Sequence, residues 1–233
     1  MESNLNLQER IQEGKVRCRG IEIGYGEILR GMGYKDFFAL FDELASQKKE
    51  IRWLDYCCGK GFATLGGVKG YNPKDGKSLS ALAVDILPDC RLPKTSKPRF
   101  EQGKALFLQH DLEESLPNAR ADLISCVYGL DYLTNPLFCI DTMFKQLETN
   151  GVLLFTLMPT GFVNGTGIQE FVEESAKNTG IATICRPITT KNNEGRKTYF
   201  MRKSSEKQQL GLNKPLFETP VYRDSEGYTH PVY

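Results

Sequence analysis

The sequence predicts an α/β fold: a mostly parallel, doubly wound sheet of seven strands, the last two forming a C-terminal antiparallel hairpin. Three observations point there. Five short runs rich in Val, Ile, Leu and Phe lie between residues 51 and 157, as expected of strands buried on both faces. The first run breaks into a glycine-rich turn that leads into a helix. Beyond residue 180, two more β-prone runs flank a polar, glycine-ended turn.

The elements follow in order. Residues 1–33 form a mixed N-terminal segment, punctuated by glycine from Gly20 to Gly33 and carrying Tyr25. Phe37, Phe38, Leu40, Phe41 and Leu44 recur at helical spacing, a stripe that belongs to a core against the sheet. Strands are expected at 51–56, 80–86, 105–109, 121–127 and 152–157. A helix is expected over 136–149, with Asn150-Gly151 as its stop signal. Another is expected over 169–178, with Gly180 as its stop. The hairpin pairs 181–187 with 197–203 around the polar stretch 191–195. Residues 70–79 read as a surface loop. Residues 87–100 hold Pro88, Pro93 and Pro98; each proline inside a helix costs about 3 kcal/mol, so that element is short or irregular. Residues 204–233 are either a mobile tail or an arm docked on the domain.

Bulk properties exclude several classes. With 233 residues, 40% hydrophobic and 25% charged, the chain fits one large globular domain. A net charge of +1 gives no strong nucleic-acid signal. Two basic clusters, Arg91–Arg99 and Arg196, Lys197, Arg202 and Lys203, read as solvated faces. Seven cysteines without C-x-x-C spacing and only two histidines fit neither a common zinc pattern nor a disulfide framework, so no metal is expected. There is no N-terminal apolar h-region and no uncharged apolar run of spanning length, so a cytoplasmic chain without a membrane segment is expected. Oligomeric state is not readable.

The segment Asp55-Tyr-Cys-Cys-Gly-Lys-Gly61 is the most informative. Glycine permits positive φ and close approach of a ligand to the backbone. A strand ending this way and opening a helix is where α/β proteins bind cofactors. Pyrophosphate beside Asp55 would be repelled; a ligand with a positive head suits it better. This segment resembles the first motif of class I S-adenosylmethionine-dependent methyltransferases, in the variant where a cysteine, here Cys57, replaces the leading glycine. The resemblance spans roughly 34–203, the expected methyltransferase domain, and implies that fold type, with 1–33 as a possible cofactor cover. It implies S-adenosyl-L-methionine as cofactor and S-adenosyl-L-homocysteine as product. Asp55 would support the ammonium, with Cys57, Gly59 and Gly61 against the amino-acid end.

Further signals follow the second, third and fourth strands. Asp85 ends the second strand, where a carboxylate accepts both hydroxyls of a ribose; it also reads as a plain turn aspartate. Ile86 offers an apolar wall for adenine. Asp111 resembles the family residue that accepts from the adenine amine, with Leu112 beside it, and alternatively caps a turn. His110 reads as a packed residue. Val127 belongs to the implied cofactor set. After it, Tyr128, Asp131 and Tyr132 are candidates to line the acceptor pocket; Asp131 is a candidate general base or a helix cap. Tyr25 and Tyr128 are candidates to steady a cation. The tip lacks the Asn/Asp-Pro-Pro-aromatic sequence of enzymes that methylate base or glutamine amide nitrogens. The expected reaction is methyl transfer to a small-molecule or protein acceptor. Two alternatives stay open: a catalytically silent cofactor-binding module of this fold, and a nicotinamide-dependent oxidoreductase, whose fingerprint would want a small residue at Thr64.

Overall fold

A computed structural model describes residues 25–72, 76–160, 162–163, 165–188 and 195–212, and the backbone of 221–223 and 229–231. Residues 191–194 of the expected turn at 191–195, and residues 1–24, lie outside this set. Helices α1 (Glu27–Gly31) and α2 (Phe37–Ala45) precede β1 (Glu50–Tyr56); α3 (Phe62–Gly70) leads to β2 (Ser78–Asp85). There follow β3 (Lys94–Thr95), β4 (Ala105–Gln109), β5 (Ala121–Cys126), α4 (Pro136–Gln146) and β6 (Leu147–Leu157). A small ribbon, β7 (Phe162–Val163) with β8 (Thr166–Gly167), precedes α5 (Ile168–Asn178), β9 (Ala182–Pro187) and β10 (Lys197–Arg202). Backbone strands β11 (Val221–Arg223) and β12 (Thr229–Pro231) pair with each other.

The main sheet runs β3-β4-β2-β1-β5-β6-β10-β9. The seven expected strands are all present; the two-residue β3 adds an eighth at the edge. Strands β4, β2, β1, β5 and β6 are parallel, and β10 runs antiparallel to both β6 and β9. The order turns back at β1, between β2 and β5. In such sheets that is where a crevice opens outside the carboxyl ends of the strands.

Alternation along β1 splits two cores. Ile51 and Trp53 face α1, α2 and α3 together with Leu29, Phe37, Phe41 and Ala63; Leu54 and Tyr56 face α4 and α5. Local chemistry sets the helix starts. Asp36 accepts from the Ala39 amide at 2.9 Å, and Asn135 accepts from Phe138 at 3.1 Å with Pro136 in the first helical position. The segments between β2 and β4 and between β4 and β5 contain no helix, so the prolines of 87–100 act as expected.

One boundary moves by more than two residues. The helix expected to reach 149 ends at Gln146, and Asn150-Gly151 is a bulge inside β6. Ala121 pairs with Leu147 but Leu123 with Val152, leaving extra residues on β6. Asn150 takes φ +66°, and a Cβ at Gly151 would stand 2.8 Å from the Glu148 carbonyl oxygen. The helix is closed instead by Lys203, whose Nζ donates to Leu147 O at 2.8 Å and Lys145 O at 3.2 Å. Lys203 is 2% exposed, and burial lowers its pKa. The cluster read as a solvated face is therefore partly interior. Lys197 pairs with Glu173 at 2.8 Å and Arg202 with Glu43 at 2.5 Å.

The first part of the tail is a docked arm. Leu210 and Leu212 are buried in the α4–α5 core, Leu212 N donates to Asp141 Oδ1 at 3.2 Å, and Ser175 Oγ donates to Leu210 O. Among the described residues no helix is long and apolar enough to cross a membrane. Removing a buried leucine side chain costs about 2–5 kcal/mol. Leu212→Ala should therefore lower the denaturant midpoint with an unchanged slope; an unchanged midpoint would show that the arm does not dock.

Candidate functional site

The turn after β1 is built from left-handed residues. Cys57, Gly59 and Gly61 have φ of +53°, +57° and +71°. The non-glycine Cys57 sits where a side chain is disfavoured. Gly61 caps α3, and a Cβ there would be strained at φ +71° and lie 2.6 Å from Cys90 Sγ, so a side chain would have to displace Cys90. On the β5 side, a Cβ at Gly129 would lie 2.2 Å from Cys57 Cβ, so the segment after β5 packs directly on the turn.

Asp55 lies behind that turn, 1% exposed. Thr64 donates to its Oδ2 at 2.6 Å; Ser125 and Tyr25 donate to its Oδ1 at 2.8 and 2.5 Å. Trp53 Nε1 donates in turn to Ser125 Oγ at 2.7 Å. Burial raises the Asp55 pKa from its ordinary value, against the pull of the three hydroxyls. Burial, then the Asp55 charge, raises Tyr25 well above its ordinary value and keeps its hydroxyl a donor. Tyr25 is itself buried, its ring against Phe37 and Trp53. It reaches the expected site as a donor to Asp55. The ring is a core ring.

Asp85 occupies the same face of the sheet, one strand over. Its Oδ2 accepts from Gly59 N at 2.7 Å and its Oδ1 from Leu87 N at 3.0 Å, so it ties the turn to the loop after β2. Burial raises its pKa to about 6, opposed by those amides. Ile86 beside it is half-buried. Asp111 lies two residues past β4. Its Oδ1 accepts from Glu113 N at 2.9 Å, the turn-capping geometry, and Leu112 is buried below it. His110 bonds Ser115 through Nε2 at 2.9 Å. Asp55, Asp85 and Asp111 thus stand at the same end of three neighbouring parallel strands.

Past β5, Val127 and Tyr128 are half-buried, and Tyr128 takes φ +62° while its amide donates to Thr156 Oγ1 at 2.7 Å. Asp131 is engaged twice: Oδ1 accepts from Met158 N at 3.0 Å and Oδ2 pairs with Arg196 at 2.5 Å. The Arg196 guanidinium lies 4.9 Å above the Tyr128 ring. Tyr132 is 42% exposed on the outer rim. Sequence reading missed Thr64 as a partner of Asp55, Ser125, and Arg196. A serine inside an otherwise apolar strand run was the available signal for Ser125. Nothing local marked Arg196, which reaches Asp131 from 65 residues away.

Two outcomes follow. Carbon-detected NMR titration of the Asp85 carboxyl should give a midpoint near 6. The folded pKa exceeds the unfolded value of about 3.9, so the cost of the ionised carboxylate is present above pH ~6 and disappears as pH falls towards ~4. A midpoint near 4 would contradict the burial described. Separately, Tyr25→Phe removes a donor from a buried carboxylate and should lower unfolding stability by about 1–3 kcal/mol; equal stability would show Asp55 does not depend on it.

The chain was compared with known proteins. A family model described as a methyltransferase domain matches residues 30–188. No curated protein matches the sequence. Among solved structures, a putative class I S-adenosylmethionine-dependent methyltransferase from Listeria monocytogenes is 14% identical, covering 88% of this chain and 69% of that one, with a TM-score of 0.52. Magnesium protoporphyrin IX methyltransferase from Synechocystis PCC 6803, with bound S-adenosyl-L-homocysteine, is 11% identical, covering 84% and 93%, with a TM-score of 0.51. The N-methyltransferase NodS from Bradyrhizobium japonicum WM9 is 16% identical, covering 72% and 94%, with a TM-score of 0.45. The first two share this sheet at identities that speak to fold alone. The family model covers more than half of the chain, and on that match the protein belongs to the methyltransferase-domain family.

Proposed function

We propose that this chain is an S-adenosyl-L-methionine-dependent methyltransferase that transfers a methyl group to a small-molecule or protein acceptor and releases S-adenosyl-L-homocysteine. The observation that carries the reading is the Asp85 carboxylate held at the mouth of the left-handed turn by the Gly59 amide. Its position at the end of β2 suits the two hydroxyls of a ribose, and a carboxylate offers acceptors only. The Synechocystis relative, crystallised with S-adenosyl-L-homocysteine, supports the same cofactor here.

When bound, the cofactor supplies a methyl group already activated on a sulfonium. The chain's own residues bind, orient and exclude water. Cys57, Gly59 and Gly61 present backbone to the amino-acid end. Ile86, Leu112 and Val127 give apolar surface to the nucleoside, and Asp111 offers an acceptor at its outer edge. Asp55 acts one layer deeper. Its hydroxyl partners hold Tyr25, α3 and β5 around the turn, and an ammonium would feel its charge from behind the backbone. Alignment of this kind is worth up to about 7–11 kcal/mol of a barrier.

On the acceptor side, Tyr128 and Tyr132 stand on the rim. Asp131 already binds a guanidinium and a backbone amide, and a carboxylate so occupied is a poor proton acceptor. Its role in this reading is positioning: it holds Arg196 over Tyr128, next to the segment that packs on Cys57.

Titration calorimetry with S-adenosylmethionine, S-adenosylhomocysteine and NAD tests this directly. Both adenosyl compounds should bind. Asp85→Ala should weaken them about tenfold or more, the order expected for lost hydrogen bonds to a charged group. Binding of NAD alone would overturn the assignment. Tight adenosyl binding with no labelled product from a radiolabelled methyl-transfer assay on cell extract would favour a silent member of the family.

A further inference from the structure

Two cysteines stand where the loop after β2 lies on the cofactor turn. Cys58 sits between Cys57 and Gly59 in the turn, and Gly61 N donates back to Cys58 O at 3.0 Å. Arg91 N donates to Lys60 O at 3.2 Å, which brings its neighbour Cys90 onto the same turn. The Cβ position of Gly61 lies 2.6 Å from Cys90 Sγ. The Cys58 thiol donates to Gly59 O at 3.6 Å, just ahead of Lys60, and neither Cys58 nor Cys90 is fully buried. Between them in the chain stands Asp85, which accepts from Gly59 N on one side and Leu87 N on the other.

We propose that Cys58 and Cys90 form a thiol–disulfide modification site that reacts with small-molecule disulfides, and that the bridged form closes the turn to the adenosyl cofactor. The second half rests on the proposed cofactor site; the first does not. A disulfide needs sulfurs about 2.05 Å apart and Cβ atoms about 3.8 Å apart. Bringing the two sulfurs to that distance draws the loop at 90 towards the turn at 58, across the backbone assigned to the amino-acid end.

The chemistry balances as two exchanges. The Cys90 thiolate attacks one sulfur of a small disulfide, forming a mixed disulfide and releasing one small thiolate. Cys58 then loses its proton and attacks the Cys90 sulfur, expelling the second. Two protein thiols are oxidised and one small disulfide is reduced to two thiols. The neighbouring Cys58 thiol lowers the Cys90 pKa below the ordinary thiol value, which suits Cys90 to the first attack. Burial, then the neighbouring Cys90 thiol, raises Cys58, which suits it to the resolving role.

The test uses the full chain, reduced and then incubated with oxidised glutathione. Intact mass should fall by two hydrogens, peptide mapping should join Cys58 to Cys90, and S-adenosylhomocysteine affinity should drop about fivefold or more and return with dithiothreitol. Cys90→Ser should lose no hydrogens, and its affinity should not respond to the oxidant. Both thiols remaining open to alkylation in folded protein under excess oxidant would overturn the site. A mapped disulfide with unchanged affinity would overturn the closure. If reduced protein failed to bind S-adenosylhomocysteine, the cofactor reading and the closure would fall together, and the mass shift would still decide the thiol pair.

Discussion

A carboxylate with no access to water must find donors inside the protein or give up its charge, and Asp55 is in that position. Its donors come from three separate places: Tyr25 ahead of α1, Thr64 on α3 and Ser125 on β5. Satisfying one charge therefore fixes Tyr25, the helix after the glycine turn and the strand across the switch point relative to one another. Everything proposed for the crevice depends on that knot, because the turn from Cys57 to Gly61 runs directly over it. Thr64 illustrates the point. A dinucleotide fingerprint wants a small residue there, and here the position serves the buried acid.

The three strand-end acids are graded by burial. Asp55 is inside, Asp85 is at the boundary at 8% exposure, and Asp111 is half-exposed. Burial raises the pKa of the first two. That gradient divides the work: an interior charge that organises structure, a boundary carboxylate with amides on both sides, and an outer one that also closes a turn. A second knot, Tyr128 with Asp131 and Arg196, lies past β5 and joins the sheet's parallel half to its antiparallel hairpin. Gly129 presses this segment against Cys57, so the two knots share one wall.

The strands were legible because strands buried on both faces must be continuously apolar, and 105–109 matched to the residue. The acids were legible because charge at the end of an apolar run is costly without a purpose. Asn150-Gly151 misled because the backbone state that stops a helix also forms a bulge, and only pairing with β5 separates the two. Lys203 and Arg196 misled because a basic residue in a hairpin looks solvated until a distant carbonyl or carboxylate claims it. Tyr25 was singled out for its ring, but its hydroxyl is what reaches the site. In each failure the deciding partner lies far away in sequence, where local pattern carries no information.

The most direct measurement is a crystal structure of the chain with S-adenosyl-L-homocysteine. The account predicts the ribose on Asp85, the amino-acid end along Cys57–Gly61, and Asp55 still bound by Tyr25, Thr64 and Ser125 beneath. Density for the ligand away from the carboxyl ends of β1 and β2, or an Asp55 that has left its hydroxyl partners, would contradict it.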